Sequence, residues 1–337
     1  MHINNKVLII AEAGINHNGS LTRAIKMIKV AKKIGADVIK FQTAVPELMI
    51  TKNAKKANYQ KTDKLDKETQ IKMIKKFNLP LSAFKILKNE CKENDITFLS
   101  SPFDILSAKH LINLKINKIK IPSGEITNFP LIKFLAKQKV EVILSTGMSN
   151  IKEIKNAIRI LKKFGCKNKD ISILHCNSSY PTPYKDVNLN TIQTLKKKFS
   201  LKVGYSDHTN GIEVAIAAVC KGAKIIEKHF TLNKNLKGPD HKVSLDPKDF
   251  ELMVKSIRNV QASFGSKDKI VTKSEKLNIQ IVRKSIVAKI FIKKGTKFNE
   301  ENITTKRPGN GISPMNWEKI LGKKAIKNFN VDDFIIL

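Results

Sequence analysis

From residue 7 to about residue 264, short runs rich in β-branched and apolar residues alternate with longer stretches in which apolar positions recur every three and four residues. The short runs fall at 7–11, 37–42, 97–100, 118–122, 141–146, 171–176, 202–205 and 224–229, and each predicts a buried strand. The longer stretches, such as 21–34, 151–164 and 212–220, predict amphipathic helices. Strand followed by helix, repeated eight times, predicts an α/β chain folded as a (β/α)8 TIM barrel. The long connection from Thr43 to Pro80 predicts a functional loop above it. The barrel domain is expected over 1–265, a polar linker over 266–283, and a small β-rich domain over 284–337, where the long helical patterns stop.

Polar residues punctuate this pattern at one edge. Glu12, Gln42, Ser101, Ser123, Ser145, His175, Asp207 and His229 fall at or just past the C-terminal ends of their predicted strands, where barrel enzymes assemble their sites. One serine or aspartate there reads as a cap or turn residue, but such a succession exceeds what capping requires.

His208 and His229 close two strands that are neighbours in a barrel, and imidazole suits Mn, Fe, Co or Zn. Two imidazoles leave positions for water and substrate, the open geometry of a catalytic metal. Glu227 and Asp207, their sequence neighbours, are expected to orient them. Lys120, Ser123, Ser145, Thr146, Gly147, Ser178 and Tyr180 collect the hydroxyls, backbone N–H groups and ammonium that a phosphate needs. Glu12, Lys40 and Gln42 form a polar wall suited to a sugar. Lys40 or Lys120 would equally serve as the Schiff-base nucleophile of a metal-independent aldolase, so two kinds of carbon–carbon chemistry stay open, beside a non-catalytic carbohydrate-binding barrel.

Composition narrows the classes. The net charge of +34 comes almost wholly from lysine spread over the chain, with arginine only at 23, 159, 258, 283 and 307 and aromatic content of 6%. Nucleic-acid readers concentrate charge, favour arginine and add aromatics, so no nucleic-acid partner is expected, although the positive field attracts an anionic substrate. The apolar run Val7–Ile10 is too short for a membrane span or signal segment. Four scattered cysteines without a C-x-x-C pair fit reduced thiols in the cytoplasm.

The motifs Glu12-Ala13-Gly14-Ile15-Asn16-His17-Asn18-Gly19, Lys40-Phe41-Gln42-Thr43, Lys120-Ile121-Pro122-Ser123-Gly124-Glu125, Ser145-Thr146-Gly147-Met148, Tyr180-Pro181-Thr182-Pro183, Ser206-Asp207-His208-Thr209, Glu227-Lys228-His229-Phe230 and Gly238-Pro239-Asp240-His241 together resemble the sialic acid synthase family. Lys306-Arg307-Pro308-Gly309-Asn310-Gly311 resembles that family's antifreeze-protein-like (SAF, β-clip) domain. The resemblance implies a transferase that condenses phosphoenolpyruvate with an N-acylated mannose-type sugar. The sugar is either N-acetylmannosamine or its 6-deoxy diacetamido counterpart. It implies that His208 and His229 hold a divalent cation, manganese or else magnesium or cobalt. Lys120, Ser123, Ser145, Ser178, Tyr180 and Ser206 would surround phosphoenolpyruvate, and Glu12, Lys40, Gln42, Tyr180 and Asp240 the open-chain sugar. Arg307 would reach into the partner barrel of a domain-swapped homodimer. Ala13, Ser101 and the stretch Asn177-Ser178-Ser179 depart from the family's commoner wording.

Overall fold

In the computed structural model, which describes residues 6–56 and 68–337, the apolar runs form eight parallel strands. These are β1 (Leu8–Gly14), β2 (Val38–Thr43), β3 (Thr97–Pro102), β4 (Lys118–Ile121), β5 (Glu141–Ser145), β6 (Ile171–Cys176), β7 (Lys202–Asp207) and β8 (Ile225–His229). The ladder runs β3-β2-β1-β8-β7-β6-β5-β4, and β3 and β4 adjoin at the seam, giving the expected near-closed barrel. β1 pairs with both β2 and β8, so the first and last strands of the repeat are neighbours.

Side chains alternate across each strand, and the two faces have different fates. The outward set, including Ile9, Ala11, Ile39, Phe41, Ile119, Val142, Leu144 and Ile226, packs beneath the helices in the main core. The inward set, Ile10, Val38, Leu99, Ile143, Leu174 and Ile225, forms a separate apolar layer across the lumen. Each such aliphatic side chain contributes about 1.5–3 kcal/mol on burial. Gly204 faces this layer, and a Cβ there would lie 2.5 Å from the Ile225 carbonyl oxygen and 2.6 Å from Leu174 Cδ2. Only glycine fits.

The helices follow their periodicity. Ile151–Lys163 buries Ile154, Ala157, Ile158 and Leu161, a stripe at spacings of three and four, and starts in a capping box between Asn150 and Glu153. The connection after β2 contains the helices Pro46–Met49 and Gln70–Phe77; its stretch 57–67 lies outside the described residues. No helix among the described residues is long and apolar enough to cross a membrane.

The first compact unit ends at Phe264 and the second spans Gly265–Leu337. In the second, β9 (Ser285–Ala288) pairs antiparallel with β10 (Ile303–Lys306) over a small core that includes Ile286, Ile292, Phe298, Ile320, Phe329 and Ile335. The stretch read as a linker carries a helix, Lys276–Val282, tied to this unit by Gly309 N–H donating to the Gln280 carbonyl (2.7 Å).

Candidate active site

The charged side chains of the barrel stand one layer above the lumen's apolar floor because they continue its two-residue alternation. Glu12 follows Ile10, Lys40 follows Val38, Ser101 follows Leu99, Ser145 follows Ile143, Cys176 follows Leu174, and Glu227 follows Ile225. Together with Lys120, Ser206, His208 and His229 they line a cavity of about 360 Å³ at the C-terminal end of the strands.

Four buried charges organise its floor. Lys120 Nζ lies 2.8 Å from Glu227 Oε1, which also accepts from Ser206 Oγ (3.1 Å) and has Lys40 Nζ at 3.6 Å. Lys40 Nζ lies 2.9 Å from Glu12 Oε2 and donates to Ser101 Oγ at 3.3 Å, while Gln42 Nε2 donates to Glu12 Oε1 at 3.4 Å. Burial opposes ionisation of Glu227, but Lys120 and Lys40 outweigh it and hold the carboxyl at about 2. Burial raises Glu12 above the usual carboxylate range, with Glu227 adding to it against the pull of Lys40. Burial also lowers Lys120, helped by Lys40, whereas Glu12 and Glu227 overcome burial at Lys40 and raise it. One carboxylate therefore serves two ammonium groups, and Glu12 is the member most readily protonated.

Above this layer stand the two imidazoles, with ring centroids 5.5 Å apart. His208 Nδ1 lies 2.6 Å from the Asn177 carbonyl oxygen, so that nitrogen carries the proton and Nε2 is left as a ligand. Burial, then His208 and Lys40, hold His229 well below the usual histidine range, and its buried Nδ1 has no hydrogen-bond partner. His229 is thus the neutral imidazole with an uncommitted nitrogen that a divalent cation requires. At His208, burial is outweighed by Cys176 and the Asn177 carbonyl, which raise the imidazole, so the pair fits such an ion with loss of a proton from His208. Among the described residues no group of three or more His, Cys, Asp or Glu side chains gathers to hold a metal. Tyr180 lies against His208, with ring centroids 4.0 Å apart and the planes tilted by 34°.

On the β4–β6 side, hydroxyls converge. Ser123 Oγ accepts from Gly147 N–H (3.0 Å), and a Cβ on Gly147 would lie 2.3 Å from Ser178 Oγ and 2.7 Å from Ser123 Oγ. A side chain there would displace both serine hydroxyls. Ser145 Oγ is buried and unpartnered, as is Glu227 Oε2. Such atoms are costly unless a ligand completes them. Asp240, from the loop after β8, completes the lining; burial, then Glu12, pushes its carboxyl up to about 7 despite His208.

Two residues read as site members face the other way. His175 and Asp207 have outward parity: His175 Nε2 contacts the Val187 carbonyl oxygen at 2.6 Å, and Asp207 Oδ2 pairs with Lys228 Nζ at 2.6 Å. Asp207 therefore does not orient the imidazoles. Glu227, read as an orienter, is instead the centre of the charged floor. Cys176 lines the cavity with its Sγ 3.7 Å from His208 Nδ1. Counting in twos from Leu174 would have found it. Met49, Gln70, Ile74 and Phe103 also line the cavity; no periodicity in the long connection signals the first three, whereas Phe103 continues the alternation of Leu99 and Ser101. Arg307 lies in the second unit, exposed, with Nε donating to the Val282 carbonyl (3.0 Å).

Residues 27–269 match the NeuB family model and residues 283–335 the SAF domain. The chain is 51% identical to the N,N'-diacetyllegionaminic acid synthase of Campylobacter jejuni subsp. jejuni, covering 98% of this chain and 99% of that protein. It is 41% identical to the enzyme of the same name from Legionella pneumophila, over 96% of this chain and 91% of that one. Among solved structures it is similar to an N-acetylneuraminic acid (sialic acid) synthetase from Leptospira borgpetersenii, with a TM-score of 0.72 and 36% identity over 82% of this chain and 91% of that one.

Proposed function

The chain belongs to the NeuB family, and from that premise we propose that it joins phosphoenolpyruvate to 2,4-diacetamido-2,4,6-trideoxymannose, giving N,N'-diacetyllegionaminate and phosphate. The coarser reading, a nonulosonic acid synthase and hence a biosynthetic transferase, rests on the relatives' names. The acceptor is favoured over N-acetylmannosamine by the 51% identity to a legionaminate enzyme. The observation that carries the reading is a single cavity holding a Lys–Glu floor, an open pair of imidazoles and the unfilled hydroxyl of Ser145.

His208 and His229 would hold the divalent cation, manganese or else magnesium or cobalt, which when bound supplies Lewis-acid polarisation of the acceptor aldehyde. Lys120, Ser123, Ser145 and Ser178 bind the phosphate end of phosphoenolpyruvate, with Ser206 and Tyr180 beside it. Lys40, Gln42 and Asp240 orient the sugar. C3 of phosphoenolpyruvate bonds to the aldehyde carbon while Glu12 delivers a proton to the aldehyde oxygen. Water adds to C2, returning a proton to Glu12, and the C2–O bond to phosphate then breaks as the new hydroxyl passes its proton to the departing phosphate, leaving the ketone. The raised pKa of Glu12 suits a group that must give and take that proton.

A homodimer in which Arg307 reaches the partner's barrel belongs to the same proposal. It is supported by Leu277, Ile281, Phe291 and Met315, all exposed on the second unit. Four free cysteines, three of them buried, suit the cytoplasm.

The test is phosphate release from phosphoenolpyruvate carrying ¹⁸O in the bridging position, with the acceptor and manganese and again after chelation. Labelled phosphate, lost on chelation, is expected; unlabelled phosphate would refute C–O cleavage. The lowered pKa of Lys120 is the one observation favouring a Schiff-base aldolase, and borohydride trapping of a pyruvate adduct on Lys120 would establish that reading instead.

A further inference from the structure

We infer that Met49, Ile74 and Phe103 form a wall that reads the distal end of the acceptor and selects a methyl group over a hydroxymethyl group at C6. This rests on the synthase reading above. Most of the polar lining of the cavity, Gln70 and Ser101 apart, already has assigned partners: the serines at β4–β6 face the phosphate, the imidazoles at β7 and β8 the aldehyde, and Glu12, Gln42 and Asp240 the next carbons of the sugar. An acceptor held this way runs outward over β2 and β3. There the lining changes character.

Met49 ends the helix Pro46–Met49, Ile74 lies in the helix Gln70–Phe77, and Phe103 follows β3; all three are half-buried and line the cavity. Gln70 and Ile74 are four residues apart and share the cavity side of their helix, while Met73 is buried and Lys72, Lys75 and Lys76 are exposed. Lysine dominates this chain's surface, yet three apolar side chains face the cavity at this edge. None of the three carries a hydrogen-bond donor or a strong acceptor. A methyl group placed against these three loses water at no polar cost, whereas a hydroxyl there loses hydrogen bonds to water that the three cannot replace; Gln70, one turn from Ile74, is the polar group at this edge.

Hydrophobic pockets reject an added hydroxyl by about 100-fold, which sets the expected discrimination. The experiment compares kcat/KM for two acceptors that differ only at C6, the 6-deoxy diacetamido sugar and its 6-hydroxy counterpart. The unaltered enzyme is expected to favour the first by 10- to 200-fold. Met49→Gln and Ile74→Gln should each cut that ratio by at least about fivefold, leave the KM for phosphoenolpyruvate unchanged, and have Leu counterparts that preserve the ratio. Met49→Gln, on a half-exposed helix, guards against misfolding of the other variant. A ratio near one in the unaltered enzyme, or an unchanged ratio in both Gln variants, overturns the inference alone. Release of phosphate with neither acceptor overturns the synthase reading and the inference with it.

Discussion

Glu227 and Lys228 are adjacent in the chain, almost equally buried, and each engaged in a short ion pair, yet they belong to two different kinds of site. On the outer face of the barrel, Lys228 meets Asp207 at 2.6 Å and donates to the Thr209 carbonyl, while Asp207 Oδ1 accepts from Thr209 N–H and Thr209 Oγ1. That pair is saturated. In the lumen, Glu227 Oε1 is shared by Lys120 and Lys40 while Oε2 has no partner, and a cavity opens above. Burial and charge are common to both pairs; unfilled hydrogen-bonding capacity beside open volume distinguishes the site that waits for a ligand.

That contrast can be broken by substitution. Glu12→Gln should have the largest effect, reducing kcat by roughly 100- to 10,000-fold with little change in phosphoenolpyruvate binding, as loss of a general acid–base does; near-normal turnover would remove Glu12 from the chemistry. Lys228→Met strands Asp207 and should destabilise the protein by about 3–5 kcal/mol in denaturant unfolding while the folded fraction turns over normally.

Asp240 sharpens the picture through pH. Its folded pKa of about 7 lies above its ordinary value of 3.8, so the native state binds the extra proton. Stability from this group is full below about pH 4 and is lost as pH rises through 7, on the order of 2–4 kcal/mol. In metal-free protein, Asp240→Asn should therefore raise the melting temperature at pH 8 and leave it unchanged at pH 4; equal shifts at both would exclude the titration. Ser178→Ala is the mildest case, expected to raise the KM for phosphoenolpyruvate about tenfold through one lost hydrogen bond to a charged group, with kcat nearly intact.

The fold was legible because periods of two and near 3.6 report directly on which faces are buried, and the eight runs kept that signal throughout. The site was legible where a polar residue interrupted an apolar run, as at Glu12, Lys40 and His229. It was misread where strand ends were taken without their parity: His175 and Asp207 sit one residue from inward-facing Cys176, Ser206 and His208. Glu227 was undervalued because its importance comes from Lys120, 107 positions away. Met49 and Ile74 could not be read at all, since short helices in a long connection are placed by tertiary packing and not by a pattern of their own, whereas Phe103 continues the inward alternation of Leu99 and Ser101.

The most direct test of the two-pair account measures phosphate release and thermal midpoint side by side for Lys120→Met and Lys228→Met, assayed below both transitions. Lys120→Met leaves Glu227 with Lys40 at 3.6 Å and Ser206 at 3.1 Å, so it should lose turnover and keep most of its stability. Lys228→Met should do the reverse. Loss of turnover and of stability in equal measure by both variants would contradict the division of this barrel into a saturated outer pair and a working inner one.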